Sequence, residues 1–259
     1  MDPAMEVFDR HAVRRHRERA AHTVGGITDV LRDVAERLLD RLDDTTRRFA
    51  YALDVGGRGF VAPLLRTRGI DVVSCDLSPA MAARNGGLAV AADEEFLPFA
   101  PASFDLVVAS VSLHWVNDLP GALIQLRRAM RPEGLLLASL PALGTLGELR
   151  QALTEAEAAL TGGAAPRVSP FAELRDCAGL LQRAGFTLPV ADLEELRVLY
   201  ADPLALLRDL RAAGETNALR ERDRRVPTRA LFPVALAALP QQDGRVPVTL
   251  RLAMMTGWA

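Results

Sequence analysis

The chain has 259 residues, of which 49% are apolar and 25% are charged, and its formal net charge is -2. This composition is typical of a globular protein, and it argues against a dedicated nucleic-acid surface, which needs clustered excess positive charge. All 31 basic residues are arginine, so mechanisms that use a lysine Schiff base or a lysine general base are excluded.

The two cysteines, Cys75 and Cys177, lie far apart and form no CxxC motif. We therefore expect neither a disulfide framework nor a zinc site, and we expect a cytoplasmic protein. No apolar run approaches the roughly 18 residues of a membrane span. Acidic residues interrupt the arginine-rich start, so we expect this segment to belong to the mature protein and not to a transit peptide.

Two helices are predicted before the first strand. Residues 5–22 form a basic helix, which we expect to be solvated, although it can also contact an anionic membrane face. Residues 28–42 carry apolar side chains at spacings of three and four, the pattern of an amphipathic helix. Short apolar runs then alternate with helical segments, which predicts βαβ units and a doubly wound α/β fold with a parallel sheet. The predicted strands are residues 49–55, 70–76, 88–92, 104–110 and 134–140.

The alternation ends beyond residue 141. Helices are predicted over residues 145–160, 171–184, 203–213 and 228–238, a loop over 162–171, and strands over 190–200 and 246–256. Two late strands in a mostly parallel sheet usually form an antiparallel edge. We therefore expect N-terminal helices over residues 1–45 that cap the site. A sheet domain follows over residues 46–259, with its core at 46–141 and with helical insertions and edge strands at 142–259.

The first candidate site residues lie where predicted strand 1 ends, because ligands of such sheets bind beyond the carboxyl ends of the strands. Asp54 precedes a turn that contains Gly56, Gly57 and Gly59. Glycine lets the backbone approach a ligand closely and turn into the next helix, whose N–H groups face that ligand. A glycine loop alone is weak evidence, since sharp turns need glycine in any case.

The second predicted strand ends in Asp76, about twenty residues after the glycine turn, where a carboxylate can accept hydrogen bonds from both hydroxyls of a ribose. The two features together predict a nucleoside-type cofactor. Asp93 and Glu94 end the third strand, where an adenine amino group could be recognised; taken alone, this pair fits a solvated acidic loop better. Arg58 and Phe60 stand where a pyrophosphate-binding loop has glycines, so a cofactor without phosphates, such as S-adenosylmethionine, suits the loop better.

The fourth predicted strand leads into Ser110, His114 and Trp115. His114 could position an acceptor or act as a base, and Trp115 fits a core position equally well. A planar or cationic acceptor, arginine included, could use Trp115 for a cation–π contact and Glu215 for charge pairing. Glu215, in a Gly-Glu-Thr-Asn turn, is equally well explained as a loop carboxylate.

Four stretches follow one another in the order of a known set of motifs: residues 54–59, Asp76-Leu77-Ser78, Ala92-Asp93 and residues 104–108. They resemble the motifs of class I S-adenosylmethionine-dependent methyltransferases. Five further stretches are residues 91–99, 112–120, 162–171, 214–217 and 256–258. These resemble, more specifically, the complex I assembly factor (arginine-hydroxylase) family, which has mitochondrial members and bacterial relatives. The malonyl-carrier-protein methyltransferases are more loosely similar.

The resemblance implies a Rossmann-like, seven-stranded methyltransferase sheet with S-adenosylmethionine across strands 1, 2 and 4. Gly56 and Gly57 would face the methionine part of the cofactor, Asp76 the ribose and Asp93 the adenine. The neighbouring motif positions are then further candidates for cofactor contact: Asp54, Gly59, Leu77, Glu94 and Ser110. His114 and Trp115 would border the reaction pocket. Arg58 and Phe60 depart from the family's glycine loop, and the positions around 252–255 have become aliphatic.

The resemblance leaves three functions open. The first is methyl transfer to a protein or small-molecule acceptor; the others are hydroxylation of an arginine in a respiratory complex I subunit, and a scaffold that binds the cofactor without catalysis. Hydroxylation normally needs iron held by two histidines and a carboxylate. Of the four histidines, His11, His16 and His22 are predicted on the first helix, where His11 and His16 diverge around the axis. We therefore expect no metal site and expect these three histidines to be exposed.

Overall fold

The structure, a computed structural model, describes residues 6–259 and is built around a seven-stranded sheet with the order β3-β2-β1-β4-β5-β7-β6. The strands are β1 Tyr51–Val55, β2 Asp71–Asp76, β3 Leu88–Ala91, β4 Phe104–Ser110, β5 Met130–Pro141, β6 Thr187–Tyr200 and β7 Val246–Trp258. Strands β1 to β5 pair in parallel, whereas β7 is antiparallel to both β5 and β6. The expected doubly wound, mostly parallel sheet with an antiparallel edge is confirmed.

The helices flank this sheet, and side chains cap several of their first turns. They are α1 Arg10–Ala20, α2 Thr28–Asp40, α3 Val61–Thr67, α4 Pro79–Ala83, α5 Leu119–Ala129, α6 Gly147–Thr161, α7 Leu174–Arg183, α8 Pro203–Ala213 and α9 Leu231–Ala237. Asp9 accepts the Ala12 N–H at 3.0 Å, so α1 begins at residue 10 and is shorter than the helix predicted over 5–22. Met5 of that prediction lies outside the described residues. Ser78 caps α4 by accepting the Met81 N–H at 3.1 Å.

Both faces of the sheet are covered, which explains the apolar run over residues 106–109 of β4. Val107 packs in a cluster with Leu123 of α5, and Leu106 packs in the opposite cluster with Leu38 of α2 and Leu65 of α3. A strand whose side chains meet covered faces on both sides carries apolar residues throughout. The carboxyl ends of β1, β2 and β4 consequently meet at one edge of a rigid core.

The remaining helices build walls beyond that edge. α6, α8 and α9 form a separate apolar cluster with the first half of β7, which includes Leu149, Leu206 and Val248. α1 packs against α4 and α8. The division of the chain at residue 45 stays a prediction. Within residues 6–259, no helix has the length and apolarity that crossing a membrane requires.

Candidate functional site

The loop after β1 approaches its surroundings so closely that two of its positions require glycine. Gly56 has a φ of 65°, and a Cβ added to it would lie 2.6 Å from Cβ of Ser112. A Cβ on Gly57 would lie 2.1 Å from Oδ1 of Asp54. Both contacts are too short for real atoms, so these glycines form a cradle beside Asp54 and the end of β4.

Two further residues of the loop also have positive φ angles. Gly59 has a φ of 89°, and its N–H donates to Oδ1 of Asn85 at 2.7 Å. Arg58 also has a positive φ of 52°, which is uncommon for a residue with a side chain. Phe60 packs with the apolar cluster around α3. Of the two residues that depart from the family's glycine pattern, Arg58 and Phe60, the side chain of Phe60 thus belongs to the apolar core, and the side chain of Arg58 is the one to consider at the cofactor site.

Asp54 is the penultimate residue of β1 and is fully buried. Its Oδ2 accepts the Ser74 hydroxyl at 3.3 Å, and burial raises the pKa of this carboxyl to about 7. Asp54 Oδ1 and the hydroxyl of Ser112 are buried polar atoms without a hydrogen-bond partner among residues 6–259. Because buried polar atoms are normally paired, this part of the crevice suits a polar ligand.

Asp76 ends β2 and is buried under the N-terminal helix. Its Oδ1 accepts the Ser78 N–H at 2.9 Å, and its Oδ2 lies 3.4 Å from Nη1 of Arg17 on α1. Leu77 is half-buried and packs on the apolar cluster that joins α1 to Trp115. The carboxylate predicted to hold the ribose thus already touches a guanidinium.

Asp93 and Glu94, after β3, are both paired with Arg10 of α1. Arg10 also donates from Nη1 to the Trp115 carbonyl at 3.1 Å. Although burial alone would lower it, the pKa of Arg10 is raised because both carboxylates favour its charged form. The predicted contact of Asp93 with adenine stays a prediction, because here the acid contacts Arg10.

The expectation that the first helix is solvated is wrong for its inner face. Arg17 is buried, and His16 is half-buried, so the expected exposure is also wrong for this histidine. Burial, followed by the charge of Arg19, lowers the pKa of His16 to about 4. Arg10 and Arg17 lie seven residues apart, about two helical turns, and therefore share one face. The seven-residue spacing in the sequence therefore indicates that these two arginines lie on the same side of α1.

Ser110, His114 and Trp115 follow from the end of β4 as predicted. Ser110 is buried and is in register with Ser139 of β5. His114 and Trp115 lie in a short 3-10 turn, Leu113–Trp115. Both rings contact Glu215: His114 Nε2 and Trp115 Nε1 each lie 2.8 Å from its Oε2.

Glu215 also pairs through Oε1 with Arg58, so one carboxylate joins the glycine loop to the end of β4. Burial opposes its ionisation, but the contact with His114, which includes a hydrogen bond, and the charge of Arg58 outweigh burial and hold the pKa of Glu215 well below its usual value. Glu215 is therefore ionised and already engaged. The suggested pairing of Glu215 with a cationic acceptor would have to displace these groups.

His114 has a defined tautomer. An ionised carboxylate only accepts hydrogen bonds, so we assign the proton to Nε2, which donates to Glu215. Burial outweighs Glu215 and lowers the pKa of His114, which is then neutral with a lone pair on Nδ1. Nδ1 is buried and has no partner among the described residues. This nitrogen is equipped to accept a proton.

A cavity of about 650 Å³ adjoins this network. Arg58, His114, Trp115 and Glu215 line its polar part, and aliphatic side chains line most of the remainder. These include Leu146, Leu149, Leu153, Leu207, Leu210 and Leu250. The predicted cofactor-binding residues do not line the cavity, whereas Arg58 and Glu215 do. Its walls come mainly from α2, α6, α8 and β7, the parts outside the parallel core.

Residues 6–259 contain no group of three or more histidine, cysteine or acidic side chains placed to hold a metal ion. The glycine cradle and the unpaired Asp54 and Ser112 atoms fit a polar nucleoside cofactor without phosphates. A sheet of this order with such a cradle after β1 and a carboxylate after β2 defines a cofactor-binding enzyme of the Rossmann-like class.

Comparison with known proteins narrows this class. Residues 53–138 match the family model described as a methyltransferase domain. The chain is 37% identical over 269 residues to the arginine-hydroxylase NDUFAF5, mitochondrial, of Danio rerio, covering 98% of this chain and 83% of the relative. It is 35% identical over 268 residues to the malonyl-[acyl-carrier protein] O-methyltransferase of Xylella fastidiosa, covering 98% and 89%.

Solved structures show the same fold at low sequence identity. The YcgJ protein of Bacillus subtilis aligns with a TM-score of 0.57 at 13% identity, covering 86% of this chain and 98% of that one. A SAM-dependent methyltransferase from Archaeoglobus fulgidus aligns with a TM-score of 0.51 at 14% identity, covering 88% and 94%. The chain belongs to the class I S-adenosylmethionine-dependent methyltransferase superfamily. Its cofactor is S-adenosylmethionine.

Proposed function

We propose that this enzyme transfers a methyl group to an acceptor that enters from the aliphatic cavity and presents its reacting atom beside His114. The observation that carries the proposal is the Glu215 network. It holds His114 and Trp115 between the glycine loop and a cavity of about 650 Å³. A volume of this size is in the range of small-molecule sites.

When bound, the cofactor supplies an electrophilic methyl group on a sulfonium. His114 Nδ1 would accept the proton of an acceptor O–H or N–H as that oxygen or nitrogen bonds to the methyl group and the methyl–sulfur bond breaks, which leaves a neutral thioether. Glu215 would stabilise the resulting imidazolium. Trp115, anchored through Nε1, forms a fixed wall beside the reacting atom. The aliphatic side chains exclude water, so orientation of the two reactants supplies much of the rate.

The acceptor class follows from the walls of the cavity. Mostly aliphatic side chains favour an acceptor, whether a small molecule or a group carried on a protein, with an apolar part next to the reacting atom. Glu215 is held by three donors, which disfavours a guanidinium as the reacting group.

Tritium-labelled S-adenosylmethionine tests this proposal. The protein is incubated with extract from a strain that lacks its gene, and the extract is then divided into organic-soluble and protein fractions. We expect labelled acceptor in wild type and roughly 100-fold less with His114→Gln, since positioned acid–base groups contribute about that factor or more. His22→Gln, which changes an exposed histidine in the turn after α1, is the control. Absence of label from every fraction with wild-type protein contradicts the proposal.

Arginine hydroxylation in a complex I subunit is the second candidate. It is supported by the printed name of the Danio rerio relative and by 37% identity over nearly the whole chain. Peptide mass spectrometry of complex I subunits from wild-type and deletion strains decides it. A gain of one oxygen on an arginine that disappears on deletion supports hydroxylation, and the same arginine unmodified in both strains rejects it.

We further propose a cytoplasmic location with peripheral membrane contact through α1, whose Arg14, Arg15 and Arg19 remain exposed. The two buried free thiols suit a reducing compartment. Cell fractionation tests the location. Sedimentation with anionic vesicles tests the contact, and equal binding by wild type and an Arg14→Gln, Arg15→Gln, Arg19→Gln variant rejects it.

A further inference from the structure

Two arginine side chains are buried against the glycine loop. Arg17 comes from α1 and is 2% exposed, and Arg58 belongs to the loop itself and is 1% exposed. Nη1 of Arg17 lies 3.8 Å from the position that a Cβ on Gly56 would occupy. Two positive charges therefore lie beside the glycine that the cofactor is expected to approach.

These charges are incompletely neutralised. Nη2 of Arg58 donates to the Val111 carbonyl at 2.8 Å and pairs with Glu215, but Nε and Nη1 have no partner among residues 6–259. The contact of Arg17 with Asp76 is long, at 3.4 Å. Burial, and then the charge of Arg17, lowers the pKa of Arg58 to about 10. Both side chains would gain from a further anion.

The carboxylates nearby cannot supply that anion once the cofactor is bound. Glu215 is held by His114 and Trp115 as well as by Arg58. Asp76 is the group assigned to the ribose, and ribose hydroxyls that take its oxygens leave Arg17 without its partner. The cofactor itself carries a single anionic group, the α-carboxylate of its methionine part, which is the part expected at Gly56.

We infer that Arg17 and Arg58 together bind the α-carboxylate of the cofactor's methionine part. This inference rests on the assignment of S-adenosylmethionine as cofactor. Binding exchanges partners: the ribose takes Asp76 from Arg17, and the carboxylate replaces it. Arg58, which breaks the glycine pattern of the loop, is then a cofactor-binding residue and not an obstruction.

Calorimetric titration of the wild-type protein gives the first test. The ligands are S-adenosylhomocysteine and its decarboxylated analogue, which keeps the adenosyl group, the sulfur and the amine. We expect S-adenosylhomocysteine to bind about tenfold to hundredfold more tightly, the range for charge-assisted hydrogen bonds. Equal affinities overturn the inference while leaving the cofactor assignment intact, whereas binding of neither ligand removes both.

Variants of the two arginines test whether these side chains are responsible for the difference in affinity. Arg17→Met and Arg58→Met keep most of the side-chain volume and remove the charge, and Arg14→Met changes an exposed arginine on the same helix. We expect the two buried-site variants to lose tenfold or more in affinity for S-adenosylhomocysteine. Their affinity for 5′-methylthioadenosine, which lacks the amino-carboxylate portion, stays within about threefold of wild type. Parallel losses for both ligands, or losses with Arg14→Met, contradict the assignment; circular dichroism establishes that each variant is folded.

Discussion

Replacing Glu215 with glutamine tests whether one carboxylate organises the site. The side chain is 16% exposed and accepts from His114 and Trp115 while pairing with Arg58. Glutamine keeps one acceptor oxygen, but its amide nitrogen only donates, and the charge of Arg58 stays buried without its partner. Removing one partner of a buried ion pair costs about 3–5 kcal/mol. We expect the free energy of unfolding of Glu215→Gln to fall by about that amount at pH 7.5.

The lowered pKa of Glu215 also predicts how the stability difference between wild type and Glu215→Gln changes with pH. The pKa of Glu215 is lowered in the folded protein from a reference value of 4.5. Its contribution to stability is therefore present above that reference value and is lost as the pH falls through the folded-state pKa. Urea titrations at pH 7.5 and at lower pH should show the difference between wild type and Glu215→Gln shrinking below about pH 4.5.

A control variant separates this effect from a general sensitivity to the loss of a carboxylate in this part of the chain. Glu221→Gln removes an exposed carboxylate six residues further along, and changes there are usually within about 0.5 kcal/mol. If Glu215→Gln is no less stable than Glu221→Gln at pH 7.5, the carboxylate does not organise the site. A difference that grows as the pH falls would also refute the reasoning.

Three further predictions each concern one residue. Burial raises the pKa of Asp54 from 3.8 to about 7, so the contribution of this carboxyl to stability falls as the pH rises between these values. We expect Asp54→Asn to remove roughly 4 kcal/mol of that pH dependence in urea titrations. A pH profile identical to that of wild type would reject the raised pKa of Asp54. Gly56→Ala should weaken binding of S-adenosylhomocysteine at least ~10-fold, because the new Cβ meets Ser112 and the φ of 65° strains alanine. The control is Gly163→Ala, which has open space around the new Cβ and should bind S-adenosylhomocysteine as wild type does. Burial raises the pKa of the Cys75 thiol well above its usual value. Iodoacetamide at pH 8 should therefore leave Cys75 unmodified in the native protein and alkylate it in urea. Rapid modification of Cys75 in the native protein would contradict its burial.

Much of the fold follows from local sequence patterns. β4 was predicted over the residues it occupies, because a strand covered on both faces carries a central apolar run, here residues 106–109, that is visible in the sequence. The glycine loop and Asp76 follow two such strands, so the position of the site at the carboxyl ends of β1 and β2 was also predictable. Boundaries were less accurate at α1, where Asp9 sets the start through a capping hydrogen bond.

The side chains that pair with the site residues could not be predicted from such sequence patterns. Glu215 stood in a turn that fitted a loop carboxylate equally well, and Arg10 and Arg17 belonged to a helix expected to be solvated. Their roles depend on which elements the chain brings to the strand ends. A pattern of periodicity describes one element and its buried face, and it carries no information on the side chain that meets that face.

The sequence by itself thus determined the order of strands and helices, the glycines that allow close approach and the acids at the strand ends. The tertiary structure alone decided the pairings: Glu215 with His114, 101 residues apart, Arg10 with Asp93, 83 apart, and Arg17 with Asp76, 59 apart. The physical reason is that periodicity and capping act over a few residues, whereas a buried charge is neutralised by whichever opposite charge the completed fold places beside it.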